Sequence, residues 1–534
     1  MKNQVYNPYL PLYEYIPDGE PHIFGDRLYI FGSHDKEGGE TFCMLDYVTW
    51  SAPIDDLSDW RYEGVIYRAD QDPQYGKPTA WFNHVEENAA ASAIHEEQNT
   101  LKYMYAPDVV QGPDGRYYLY YAMSSDYGVG GYTCPISVAV ADAPAGPYEF
   151  LGLVRNPDGT PMMRYVCFDP AVLNDNGTIR LYYGTQYDFE ERPDFTPDSD
   201  YVRSEMGMFG RTKEEILSYP DSIMGPVTVT LKPDMLTIAD EPRHVIPYRV
   251  KGTGFEEHPF FEASSMRKVG DKYYFIYSSQ RNHELCYAVS DHPDRDFTFG
   301  GTIVSNGDVG LNGRTQEERL NMTGTTHGSI IEINGSWYVF YHRLTHKSDY
   351  SRQGCAEKIE IKPDGSIEQV EITSCGLNDG PLKGTGEYPA AICCNLTNGK
   401  MPHGSNRIYD FSFPNVNHRV IKEVETGDDG IAEKETSAER FVAEISDGTL
   451  IGYKYFDIRD LRGISVMASL AAGEGEFEIR TEPEGPAVGS IKISGTDGKW
   501  KSFETGVQIP DGVHAIYFIY HGKETAELLS FKFI

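Results

Sequence analysis

The chain has 534 residues, 40% hydrophobic and 24% charged, enough for one large domain plus a smaller one, each with a core. Its 81 acidic against 47 basic residues give a formal net charge of −34, which disfavours contact with a phosphate backbone and predicts no nucleic-acid partner. No run of 18 apolar residues occurs, so no membrane span is expected, and the start MKNQVYNPYLPLYEY lacks the apolar core and cleavage site of a signal peptide, which predicts a cytoplasmic protein.

Helical periodicity is scarce, and the chain reads as almost all β. In chain order, five runs resemble one another: GDRLYIFGS (25–33), DGRYYLYYA (114–122), NGTIRLYYG (176–184), GDKYYFIYS (270–278) and NGSWYVFYH (334–342). Each opens on a Gly-Asp, Asp-Gly or Asn-Gly pair, the chemistry of a tight hairpin turn. Upstream of each turn a polar residue interrupts an apolar context: Asp18, Asp108, Asp169, Glu262 and His327. These precede the matching strand position by 8 to 10 residues.

The intervals between them, 90, 61, 93 and 65 residues, rule out a strict solenoid but suit blades with variable loops. A five-bladed β-propeller follows, in which equivalent inner-strand positions converge on the axis. Asp before Gly or Pro, as in Asp18-Gly19 and Asp169-Pro170, commonly just sets a turn. Five polar groups in register are not explained that way.

Burying carboxylates together raises some of their pKa values and keeps an acid protonated near neutral pH. Glycoside hydrolysis needs that division of labour: one protonated acid for the leaving oxygen, one ionised carboxylate for water or direct attack. Glu262, framed by Phe260, Phe261 and Ala263, suits the acid. Asp18, in a polar Gly-containing turn, suits the base, and Asp169 can orient and tune the acid.

These motifs resemble glycoside hydrolase family 43, on PDGEPHIFGDRLYIFGSHD with Asp18, YAPDVVQGPDGRYYLYY with Asp108, FDPAVLNDNG with Asp169 and FFEASSMRKVGDKYYFIYSS with Glu262. The resemblance covers roughly residues 5–375; Pro17-Asp18-Gly19 stands where Ala-Asp-Pro is common, and Glu-Ala-Ser where Glu-Gly-Pro is frequent. It implies a general base at Asp18, a pKa modulator at Asp169, a general acid at Glu262, and inversion across a carboxylate gap of about 6.5–9.5 Å. It also implies Ca2+ at the propeller axis, touched by His327 mostly through water; His327 hydrogen-bonding channel water or the acid pair is the alternative. Asp108, Arg281 and Phe261 are candidates for contacting the sugar, Asp108 alternatively being structural and Arg281 a surface ion pair. His34 and Asp35 read as turn formers. The acidic insertion 66–100 is either a pocket-shaping loop or the contact of a homo-oligomer.

Residues 376–404 read as a linker packed on the propeller, and from 405 to 534 short strands of period two predict a jelly-roll-like β-sandwich. GEGEFEIRTEPEGPAVGSIKI, GKWKSF and GVHAIYFIYHG are similar to carbohydrate-binding module family 6. Trp500, Tyr453 and Tyr455 are either its sugar platform or its core, and a structural, docked module is the preferred reading. Eight Cys without CxxC spacing predict reduced thiols, and Cys393-Cys394 reads as a pair of small strand hydrophobes. The expected activity is exo-acting release of terminal pentose, α-L-arabinofuranose first, from an oligosaccharide substrate. The alternatives are β-D-xylosidase, endo-arabinanase or galactan-active enzyme, and a non-catalytic sugar-binding propeller.

Overall fold

The structure, a computed structural model, describes residues 4–76, 102–125, 134–187, 199–209, 211–219, 222–404, 408–421 and 438–534. Most of the insertion expected at 66–100 lies outside these residues, as do 126–133 and 188–198.

Four antiparallel four-stranded sheets and one three-stranded sheet follow in chain order. Blade one holds β1 (Glu20–Phe24), β2 (Arg27–Phe31), β3 (Tyr47–Pro53) and β4 (Arg61–Tyr67), and blade two β5 (Lys102–Gln111), β6 (Tyr117–Ser125), β7 (Ile136–Ala141) and β8 (Glu149–Leu153). Blade three holds β9 (Ala171–Asp175), β10 (Thr178–Tyr183), β11 (Val227–Leu231) and β12 (Arg243–His244), and blade four β13 (Phe260–Val269), β14 (Lys272–Ser279), β15 (Glu284–Ser290) and β16 (Thr298–Ser305). Blade five has β17 (Ser329–Ile333), β18 (Ser336–Leu344) and β19 (Arg352–Ile359). The inner strands contact one another in a closed ring, β1 to β5, β9, β13, β17 and back to β1. This is the five-bladed propeller expected.

The repeated aromatic runs are the second strands of the blades, and their near-continuous apolarity has a simple cause: both sheet faces are covered. In β14, Tyr273, Phe275 and Tyr277 pack toward blade three, whereas Tyr274 and Ile276 pack toward blade five. Each such side chain contributes roughly 1.5–3 kcal/mol when fully buried. The hairpins before these strands turn as their sequences require; Asn176-Gly177 and Asn334-Gly335 both have positive φ at both positions, the type I′ geometry that matches strand twist.

After β19 the chain turns at Lys362–Gly365 so that Ile361 bridges Ile367 antiparallel, and Val370 then bridges Val304 of blade four. The N-terminal segment flanks β19: the Asn7 side chain donates to Ala356 O and accepts from Ala356 N–H, both at 2.9 Å, and Tyr9 N–H donates to Gly354 O. Blade three also carries two helices absent from the sequence reading, α1 (Asp200–Phe209) and α2 (Lys213–Leu217). Thr212 caps α2 by accepting from Glu215 N–H, and Phe209 and Ile216 join the core between blades two and three.

The span 376–404 is no linker. It supplies β20 (Leu382–Lys383), β21 (Gly386–Pro389) and β22 (Asn395–Thr397) to the sandwich; β20 and β22 pair with β25 (Leu450–Ile458), and β21 pairs with β31 (Ala526–Phe533). One sheet adds β27 (Glu474–Arg480), β28 (Gly489–Ser494) and β30 (Gly512–Gly522). The other adds β23 (Asn415–Val420), β24 (Ala438–Ile445), β26 (Gly463–Leu470) and β29 (Lys501–Gly506). Leu382, Tyr388, Ile392 and Leu396 lie in the same core as Phe456, Phe477, Phe518 and Phe531, because apolar residues at 382–396 need a partner face and the sandwich offers it. Tyr453 is buried in that core, Tyr455 reaches the propeller through Glu371 at 2.6 Å, and Trp500 is held by Phe441, Arg419 and a 2.8 Å bond to Glu439.

Candidate active site

Two of the five in-register residues sit at strained backbone positions, and a third is followed by one. Asp18 (φ 58°) and Asp169 (φ 44°) precede their inner strands, and Ala263 (φ 68°) directly follows Glu262. Asp tolerates the left-handed region; Ala does so only at a cost, roughly 1–3 kcal/mol for such strain. In β13 the pairing register slips on both sides of Glu262, a bulge that re-aims its side chain. The same slip occurs in β5 between Tyr105 and Asp108, where Ala106 has φ 31°.

The strain at Ala263 has a use, since its N–H donates to Asp169 Oδ2 at 3.1 Å. Blade three's carboxylate is thereby fixed to the backbone beside blade four's. His327 Nδ1 lies 3.8 Å from Asp18 Oδ1 and 3.7 Å from Asp169 Oδ2, so blades one, three and five meet at this imidazole. Burial, only partly offset by Asp18, pushes the His327 pKa down to about 4, so it is neutral at physiological pH.

Asp18 is buried, which by itself disfavours its charge, yet the Arg352 guanidinium and His342 outweigh burial and hold its carboxyl well below the usual range. Arg352 Nη1 donates at 3.0 and 3.2 Å, and Ser33 Oγ donates at 2.6 Å. Glu262 has the opposite environment. It accepts no hydrogen bond among the described residues, and burial together with the charge of Asp18 pushes its pKa up to about 8. Asp169 is raised as well, by burial, Glu262 and Asp18. At neutral pH an ionised Asp18 therefore faces a Glu262 held protonated, with Asp169 raised beside them.

The proposed sugar contacts do not hold as expected. Asp108 spends both oxygens inside the protein: Oδ1 accepts from Val109 N–H (2.8 Å) and meets His22 Nε2 (2.6 Å), and Oδ2 accepts from Val172 N–H (2.7 Å). It is a brace between blades one, two and three. Arg281 is the surface ion pair, Nη2 to Glu257 Oε2 at 2.6 Å, because an exposed guanidinium in an acidic chain finds the nearest carboxylate. Phe261 is buried edge-on against Tyr187, and its carbonyl accepts from Gln186 N–H, so it is part of the wall and offers no open stacking face. Asp35 is no mere turn former; it pairs with Arg352.

Sequence reasoning missed Arg352, Ser33, His342 and Glu20. Ser33 and His342 end two of the repeated runs, a signal available in the sequence; Arg352, on β19, has none. Deeper in the channel, Glu20 Oε1 and His327 Nε2 are 3.9 Å apart, both buried without a hydrogen-bond partner among the described residues. One carboxylate oxygen and one nitrogen fall far short of the 6–8 oxygens Ca2+ takes. They fit a hydrated cation held through its own waters, not a bare one.

Residues 424–534 match the model of the carbohydrate binding module (family 6). The chain is 42% identical to a xylosidase/arabinosidase of Thermoclostridium stercorarium over 99% of both chains. It is 26% identical to an arabinoxylan arabinofuranohydrolase of Paenibacillus polymyxa over 97% of this chain and 73% of that one. Among solved structures it is similar to a GH43 beta-xylosidase/alpha-arabinofuranosidase from a compost microbial metagenome, in complex with xylotriose and in a calcium-free form. That likeness is 23% identical, covers 69% of this chain and 98% of that one, and has a TM-score of 0.48. With its propeller, its split carboxyl pair and this kinship, the chain belongs to the xylosidase/arabinosidase glycoside hydrolases of family 43 and carries a C-terminal family 6 module.

Proposed function

We propose that the chain releases terminal α-L-arabinofuranose from oligosaccharides with inversion of configuration. Asp18 Oδ accepts a proton from the attacking water, Glu262 gives its proton to the leaving oxygen, and Asp169, through its bond from Ala263 N–H, holds the backbone beside Glu262 in position. The observation that carries this reading is the opposed electrostatics of two neighbouring carboxyls: Asp18 held ionised by Arg352, Glu262 held protonated by burial and by Asp18. A hydrated Ca2+ would be held by His327 and Glu20 and would supply positive charge at the foot of the channel. Terminal β-D-xylose is the second reading, favoured by the double name of the 42% identical relative. Eight free cysteines, seven of them buried, support placing the enzyme in the cytoplasm.

The test sets chromogenic α-L-arabinofuranoside, β-D-xyloside and β-D-galactoside side by side, with Glu262→Gln as control and NMR of the first-formed anomer. Preference for the arabinofuranoside, an inverted product and loss of turnover in the variant are expected. A retained configuration, or a variant within a few-fold of the parent on a poor leaving group, would overturn the assignment.

A further inference from the structure

The seam between propeller and sandwich holds a second cluster, distinct from the carboxyl pair. Glu37 comes from the loop after β2, His346 from the turn after β18, and His418 from β23 of the sandwich. His346 Nε2 lies 3.3 Å from His418 Nδ1, and His418 Nδ1 lies 3.4 Å from Glu37 Oε1. The two rings meet at 64°, with these nitrogens turned toward each other. Zn2+ bonded to imidazole at 2.0–2.1 Å in a tetrahedron requires neighbouring donor atoms about 3.3–3.4 Å apart. The two separations centred on His418 match edges of that tetrahedron, and all three donor atoms lie within 4.8 Å of one another.

We propose that Glu37, His346 and His418 bind one zinc-class divalent transition metal that pins the sandwich to the propeller. Two imidazoles and one carboxylate are a donor set suited to zinc, leaving one position for water. The carboxylate is already oriented as an outer shell orients a ligand: Tyr15 Oη donates to Oε1 at 2.9 Å, and Arg440 donates to Oε2 at 2.7 Å and to Oε1 at 3.2 Å. A cavity of about 20 Å³ on the same seam, lined by His346 and Val416 among others, has room for a water molecule. Glu37 is two residues from Asp35, which grips Arg352, so the metal would stiffen the loop that holds Arg352 against the catalytic base.

Metal-stripped full-length enzyme is titrated with Zn2+ against a chromophoric chelator, and Co2+ substitution is followed by visible absorption. One equivalent per chain, a four-coordinate cobalt spectrum and a raised melting temperature are expected. His418→Asn, on a part-exposed edge strand, should weaken binding by at least about 100-fold, the upper scale for losing even an outer-shell partner. Should that variant misfold, the wild-type cobalt spectrum alone decides. Absence of stoichiometric zinc would overturn the site and leave a His346–His418 hydrogen bond. Undiminished zinc in the variant would do the same, placing the ion elsewhere, as at His258, Glu284 and Cys286.

Discussion

Asp35 grips Arg352 along one edge of the guanidinium, Nε to Oδ2 at 2.8 Å and Nη2 to Oδ1 at 3.0 Å, which leaves Nη1 aimed at Asp18. The charge that keeps Asp18 ionised is therefore itself held in place by a buried carboxylate. Arg352→Gln removes the charge and leaves two buried carboxylates unpaired, which costs about 3–5 kcal/mol of stability by the usual scale for breaking a buried pair. Asp18's depressed pKa stabilises the fold above its ordinary value of 3.8, and that contribution is lost as pH falls through the depressed value. In Arg352→Gln the acid limb of kcat/KM should move to higher pH; urea unfolding and a pH–rate profile check both effects.

The alkaline limb belongs to Glu262. A general acid with its pKa pushed up to about 8 loses its proton above that pH, so kcat/KM on substrates with poor leaving groups should fall with a midpoint near about 8. Aryl glycosides with good leaving groups need less proton donation and should decline less steeply. An unchanged rate from pH 7 to pH 10 on both would remove Glu262 from the acid role.

The propeller was legible because the repeat sits in strands buried on both faces, where the GDKYYFIYS type of run cannot hide. Asp18, Asp169 and Glu262 were legible because they interrupt that pattern at one register. Arg352 was not, because its role arises only when β19 is brought beside blade one, a pairing over 300 residues apart with no local periodicity to announce it. Asp108 shares the register of the other four and so looked equivalent. A bulge and two backbone N–H groups consume its oxygens, and hydrogen bonding of that kind cannot be read from position. The misread linker has the same origin, since three short strands have no period of their own and gain identity only from β25 and β31.

Propeller and sandwich should unfold together. Lys454 Nζ, buried in the sandwich, pairs with Asp308 Oδ2 at 3.1 Å and Glu371 Oε2 at 2.9 Å on the propeller, and Leu396 N–H donates to Leu320 O across the same seam. Lys454→Met leaves Asp308 buried without its cation and should lower stability by about 3–5 kcal/mol. Calorimetry is expected to show one transition in the parent and a separated, earlier one in the variant. Two well-resolved transitions in the parent would mean that the seam does not couple the domains.

The last expectation concerns a buried carboxyl far from catalysis. Glu357, on β19, accepts from Asn7 Nδ2 (2.9 Å), Tyr341 Oη (3.1 Å) and Thr373 N–H (2.8 Å), and Thr373 Oγ1 donates to its other oxygen at 2.7 Å. Burial outweighs these bonds and pushes its pKa up to about 8. Because the folded state keeps a proton that the unfolded chain releases near 4.5, the protonated form's contribution is complete below 4.5 and is lost as pH rises toward 8. Across that window this group alone lowers stability by roughly 1.4 kcal/mol per pH unit. Glu357→Gln keeps the shape, cannot ionise and should flatten that decline. Urea unfolding of parent and variant at pH 5, 6, 7 and 8 gives the difference directly; a difference independent of pH would show that Glu357 is ionised in the folded protein.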